Sequence, residues 1–182
     1  DEAEINARVA ALPAHGGAVL SFPATEVAGH RAEVDHALDL HDRPPAPDPL
    51  REEIPLDHLG MLVLDTETTG LDPTTARIVA IGAVRLHGGR VYRSVNLDRL
   101  VRPDIAIPAA ASAVHGLTDD MVAHAPAFPE IFAELEAMAS GLILVGHNVG
   151  FDLTVIQHEC GRYGLMWQAP PALDTLLLAG AL

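Results

Sequence analysis

The chain has 182 residues, 49% of them apolar, with 25 acidic and 11 basic side chains and a net charge of −14. That length holds one full domain and a smaller flank, since single domains commonly run about 100–200 residues. The negative surface disfavours a wide electrostatic grip on duplex nucleic acid, and no apolar run approaches the ~20 residues of a membrane-spanning helix. The start "DEAEINARVA" is acidic and lacks the basic segment that opens a signal peptide, so the reading is a soluble, cytoplasmic protein. Cys160 is the sole cysteine, which excludes an internal disulfide. It falls at helical spacing with Leu153 and Ile156, as a small core residue would.

Residues 1–59 form an acidic flank. The first 60 residues carry 12 acids and four Arg, and the run "DRPPAPDP" at 42–49 reads as an extended linker. Before it, "HGGAVLSFPA" suits one strand, and "EVAGHRAEVDHALDLH" has weak helical periodicity. His36 and His41 lie near Asp35 and Asp39, but the spacing is not that of a zinc motif, so solvated side chains are the expected reading. The chain does not begin with Met, and this flank reads as the tail of an upstream domain.

From residue 60 the periodicity sharpens. Residues 61–65 predict a first strand, and "RIVAIGAVRLHGGRV" a second that turns at Gly88-Gly89 into a third, continued by "YRSVNLDRLV". The three make an antiparallel meander. "IPAAASAVHGLTDDMV" predicts a short helix ended at Gly116 and a new one starting after Thr118, with Asp119 and Asp120 in its first turn. "PEIFAELEAMAS" is an amphipathic helix with Ile131, Leu135 and Met138 on one face. "LILVGH" reads as a strand buried on both faces. "FDLTVIQHECGRYG" reads as a helix, and "PALDTLLLAGAL" begins another. The order β-β-β-α-α-β-α-α indicates an α/β fold with a mixed sheet.

Asp65 and Glu67 end an apolar strand without a Lys or Arg close by in sequence. A carboxylate buried unpaired is costly, so a divalent cation is the candidate partner. Two residues apart on extended chain, they point to one side. Asp152 follows the second apolar strand at the start of a helix, and if the two strands are neighbours all three acids open on one sheet edge. The plain alternative makes "DTETTG" a polar strand-to-turn transition and Asp152 a helix cap. Spacing alone leaves both open.

Together, "LDTETTGLDP", "HGLTDDMV" and "VGHNVGFDLTVI", in this order and spacing, resemble the DnaQ-like 3′-5′ exonucleases of the DEDD superfamily, DEDDh type. Relatives there include the proofreading epsilon subunit of DNA polymerase III, oligoribonuclease and RNase T. The resemblance covers residues 60–182 and implies a ribonuclease H-like fold, with a mixed sheet, a three-strand antiparallel meander and flanking helices. It implies two divalent cations, Mg²⁺ or Mn²⁺, with Asp65 bridging them, Glu67 on the ion that activates water and Asp152 on the second. Thr68, Thr69 and Leu71 correspond to the segment that holds the terminal nucleotide, His115 lies in a substrate segment and Phe151 sits beside the terminal base. Asp174 matches a supporting acid. The implied substrate is a single-stranded or frayed 3′ end of DNA or RNA, and the implied partner a DNA polymerase subunit.

Two ions about 4 Å apart can supply a hydroxide at neutral pH and relieve charge on the leaving oxygen, which makes a negative net charge tolerable. His147 and Asn148 are expected to organise the loop around Asp152, and His158 to be exposed. The family's general base is a His placed five residues before a fourth metal-binding Asp, and Ala169 occupies that position relative to Asp174. The domain is therefore expected to lack its C-terminal part, and this chain alone to be inactive or nearly so. The rival reading is a non-catalytic module of the same fold, used for docking protein or nucleic acid.

Overall fold

The structure, a computed structural model, describes residues 8–11, 18–21, 43–46 and 54–181. It divides into two units, Asp1–His36 and Ala37–Leu182. In the first, β1 (Arg8–Ala11) and β2 (Ala18–Ser21) pair antiparallel, with Val9 opposite Leu20. The expected strand in "HGGAVLSFPA" is β2, while β1 was not anticipated from the sequence. The segment of weak helical periodicity, with His36 and His41, lies outside the described residues. Residues 43–46 of the proline cluster have neither helix nor strand.

In the second unit, a 3-10 turn at Leu56–His58 leads into β3 (Gly60–Thr68), followed by β4 (Ile78–His87) and β5 (Arg90–Leu100). Gly88 and Gly89 join the last two with φ of 57° and 72°, the positive pair a two-residue hairpin of this twist demands. Three short-to-medium helices come next, α1 (Ala109–His115), α2 (Asp119–Val122) and α3 (Phe128–Ala139). Then follow β6 (Ile143–Gly146), α4 (Val149–Arg162), β7 (Ala172–Asp174) and α5 (Thr175–Ala181).

The sheet order is β5-β4-β3-β6-β7, antiparallel on the meander side and parallel from β3 through β6 to β7. This is the mixed α/β sheet that the pattern predicted. The three helices read between β5 and β6 are all present, one more than the order β-β-β-α-α-β-α-α counts, and the order differs where β7 precedes the last helix. Only three residues long and preceded by Pro170-Pro171, β7 has no periodicity to read.

The main core gathers Leu62 and Leu64 of β3, Ile81 of β4, Leu97 of β5, Leu144 of β6, Phe128, Ile131 and Leu135 of α3, and Val155, Ile156 and Cys160 of α4. Met138 packs against it partly buried. α3 works as its spacing suggests: Pro129 sits in its first turn, and Glu130 Oε1 accepts the Ala127 N–H at 3.2 Å. Thr118 starts α2 without a side-chain cap, and Asp119 Oδ1 instead accepts the Ile107 N–H at 2.9 Å. Cys160 is fully buried, and that burial pushes its thiol up to about 11. His158 is exposed, as expected.

Candidate active site

Two strand ends and one helix start make the site. β3 and β6 run parallel, with Val63 opposite Val145, so Asp65 and the β6–α4 turn emerge at the same end of the sheet. The turn is tight because Gly146 lets it be: a Cβ there would stand 3.0 Å from the Leu64 carbonyl oxygen and 3.0 Å from Val149 Cβ. Asn148 then takes the left-handed conformation, φ 62° and ψ 42°, which Asn tolerates better than most residues. Asp152 falls in the first turn of α4 as a result.

Asp174, at the end of β7, locks this turn. Its Oδ1 accepts the N–H groups of Asn148 and Leu176, both at 2.9 Å. Desolvation alone would raise its carboxyl, but N–H groups of Asn148, Leu176, Leu177 and Val149 outweigh that and hold it below the usual carboxylate range. The Thr175 hydroxyl donates to the Gly146 carbonyl at 3.1 Å, so the contact to His147 Nδ1, also 3.1 Å, is a donation from the ring. His147 and Asn148 thus organise the loop. Asp174→Ala should strip the Asn148 and Leu176 amides of hydrogen-exchange protection before the rest of α4, and equal protection in the variant would show that the carboxylate does not hold the turn.

Asp152 is buried, and its Oδ1 accepts the Thr66 hydroxyl at 2.6 Å. Burial raises its carboxyl above the usual range; the Thr66 bond opposes the rise, and the charge of Asp65 adds to it. Asp65 is exposed and Glu67 half-buried. Among the described residues, neither carboxylate has a hydrogen bond or ion pair. Thr66→Val keeps the shape and removes the donor, and Asp152 should then titrate higher still in a carboxyl NMR titration; an unchanged value would show that the bond does not hold the charged form.

Beside these acids lies a cleft of about 590 Å³. Glu67, Thr68, Thr69, Leu71, His115 and Phe151 all line it, with Pro108 and Val114 on its far wall. The five residues that the sequence motifs single out for substrate therefore meet around one space, although they come from three separate segments. Leu71 and Val114, both at the cleft, are almost fully exposed at 95% and 84%. His115 Nδ1 accepts the Leu117 N–H at 3.0 Å, which leaves the neutral ring's proton on Nε2, a buried atom that has no hydrogen-bond partner. Thr68 Oγ1 donates to the Gly70 carbonyl at 2.7 Å and so shapes the loop that carries Leu71.

Among the described residues, no three His, Cys, Asp or Glu side chains are drawn together at metal-holding geometry. Asp65, Glu67 and Asp152 share one end of the sheet without converging on one centre. Asp152 turns one oxygen to the Thr66 hydroxyl. The chemistry of the three nonetheless fits a hard divalent cation, since all are carboxylates and, among the described residues, Asp65 and Glu67 have no basic partner, while Asp152 is raised first by burial and further by the charge of Asp65.

Sequence reasoning passed over Thr66, Arg77 and Glu159. Glu159 is fully buried and takes Arg77 in a two-point ion pair, Nε to Oε1 at 2.5 Å and a terminal nitrogen to Oε2 at 3.0 Å. The signal was present: Glu159 lies on the face of α4 that otherwise holds Val155, Ile156 and Cys160. An acid on a buried stripe requires a cation.

A mixed sheet with an antiparallel meander carries carboxylates near the end of β3 and at the start of α4. The family model described as Exonuclease, that of RNase T, matches residues 62–182. The chain belongs to this exonuclease family. Over 128 residues it is 46% identical to a DNA polymerase III subunit epsilon-like protein of Rhodobacter capsulatus, covering 70% of this chain and 18% of that one. Over 125 residues it is 33% identical to the DNA polymerase III subunit epsilon of Treponema pallidum, covering 69% and 57%. The chain thus spans less than two thirds of each of these relatives. It shares its fold with E. coli Exonuclease I, solved in complex with a dT13 oligonucleotide, at a TM-score of 0.60 and 20% identity, covering 68% of this chain and 29% of that one. Among the described residues no helix is long and apolar enough to cross a membrane.

Proposed function

We propose that the protein carrying this chain is a metal-dependent 3′-5′ exonuclease acting on single-stranded or frayed 3′ ends of DNA or RNA. One observation carries the reading: Thr68, Thr69, Leu71, His115 and Phe151 line a single cleft that also takes in Glu67, next to the strand end that bears Asp65. Asp65, Glu67 and Asp152 are the residues that would hold divalent cations, Mg²⁺ or Mn²⁺, two in number. Bound there, such ions supply a water-derived nucleophile at neutral pH and neutralise charge on the phosphate.

The chain's own residues do the rest. Phe151 and Leu71 offer apolar surface to a terminal base, and stacking of this kind is worth about 1–3 kcal/mol per base without regard to sequence. His115 lines the cleft, and its Nε2 is a buried ring atom without a hydrogen-bond partner. Thr66 holds Asp152 through one carboxylate oxygen. Residues 60–182 would form the exonuclease domain and 1–59 an acidic flank and linker, in a cytoplasmic protein that works beside a DNA polymerase subunit, as its relatives' names suggest.

The competing reading, a docking module of this fold without catalysis, draws on the separation of the three acids. One experiment sorts the two: the full-length gene product is incubated with a 5′-labelled oligonucleotide, with Mg²⁺, with Mn²⁺ and with chelator. A ladder shortened from the 3′ end that vanishes with chelator supports the enzyme. Binding without shortening supports the module.

A further inference from the structure

We propose that Glu159 and Arg77 are positioning residues for the nucleotide cleft: their buried ion pair fixes Thr69, and through it the Thr68–Leu71 rim. The inference rests on the reading of that cleft as the substrate site. Arg77 opens the return leg of the loop between β3 and β4, and its backbone faces Thr69 on the outgoing leg. The Arg77 N–H donates to Thr69 Oγ1 at 2.9 Å and its carbonyl accepts the Thr69 N–H at 2.9 Å, a closed two-bond ring that makes Thr69 follow wherever Arg77 stands. Thr69 is buried at 6% exposure, so its hydroxyl works inward on this ring while its neighbours face the cleft.

Arg77 in turn is held from α4. Glu159 takes it in the two-point pair and also accepts the Ile78 N–H at 3.4 Å, and Tyr163 and Asp104 meet the same guanidinium at 3.3 and 3.0 Å. The neighbouring Arg162 donates to the carbonyls of Ala76 and Thr75 at 3.1 and 3.2 Å, so the C-terminal half of α4 grips the whole return leg. The N-terminal turn of the same helix carries Asp152, tied separately to Thr66 on β3. One rigid helix therefore places both ends of the site by different bonds: Thr66 sets the carboxylate, and Glu159 with Arg77 sets the rim.

This division makes a distinct claim about kinetics. Loosening the rim removes a contact made equally in the bound state and in the transition state, which raises KM and leaves kcat near its original value. A merely structural pair would reduce the folded fraction and change neither constant of the molecules that remain folded.

The test uses Glu159→Gln, which keeps an oxygen toward Arg77, Thr69→Val, which keeps shape and loses the ring's acceptor, the double variant, and Glu134→Gln as a remote control for lost charge. KM and kcat are measured on the full-length gene product, and Kd for a fluorescent 3′-ended oligonucleotide in Ca²⁺ on the folded fraction of each. Each single variant is expected to raise KM and Kd about tenfold with kcat within about twofold, and the double to go no further than the larger single, because residues acting through one bond are not additive. An unchanged KM and Kd, a fall confined to kcat, or a double variant equal to the product of the singles would overturn the inference. Loss of all hydrolysis in the parent protein would instead count against the enzymatic reading, and the Kd series would still decide this one.

Discussion

Asp65→Asn and Glu67→Gln are each expected to cut Mg²⁺-dependent hydrolysis by the full-length gene product by about 10³-fold or more, since every 1.36 kcal/mol of lost barrier lowering is tenfold and a cation supplies several. The fold should survive. Neither carboxylate holds any other group in the described residues, and removing a charge relieves the repulsion that Asp65 exerts on Asp152. Asp152→Asn extends the argument to pH. Because the folded-state value of Asp152 lies above its unfolded value, its ionised form costs metal-free stability at neutral pH, and that cost fades as the pH falls through the folded value toward the unfolded one. The Asn variant should therefore show a higher metal-free Tm at pH 7 and a flatter dependence below it. Near-normal turnover of either β3 variant at saturating Mg²⁺ would refute the assignment.

Glu159→Ala is expected to be the most destabilising single substitution outside the apolar core, at about 3 kcal/mol, because it removes the two-point buried partner of the Arg77 guanidinium and leaves it only the half-exposed Asp104 carboxylate. Burial alone would lower the Arg77 pKa, but the Glu159 and Asp104 carboxylates hold it well above the usual arginine value, which shows how much the charged form depends on them. A simultaneous change to Arg77→Met and Glu159→Leu should recover most of the loss, since a packed apolar pair often matches a buried ion pair. The Arg99–Glu134 pair is the contrast. Its side chains are 45% and 49% exposed, and breaking it should cost about 1 kcal/mol at most. Urea unfolding of the two Glu→Ala variants side by side is the measurement, and equal losses would show that Arg77 finds water or another acceptor.

Some of this architecture was legible because local chemistry and tertiary role coincide. β6 is a run of apolar residues since both of its faces are covered, the Gly88-Gly89 pair permits only a narrow choice of turns, and α3 carries its buried face at helical spacing. The pattern failed where structure is decided by partners far away. β7 exists because Leu144, Val145 and Gly146 offer it an edge, and nothing in "ALD" announces that. In the site, the motif acids and the cleft residues could be named in advance. The bonds that place them could not, since Thr66 to Asp152 and Arg77 to Glu159 join positions 86 and 82 residues apart.

The lone thiol of α4 has a practical use. Cys160 follows Glu159 directly and is fully buried, with its proton held up to about 11, so a thiol reagent in neutral solution meets neither an exposed sulfur nor a thiolate. Labelling must wait for the helix to lift from the sheet. The rate of modification is then a clock for that opening, read from a single native atom without introducing a probe, and a bound oligonucleotide that clamps the two ends of α4 should slow it.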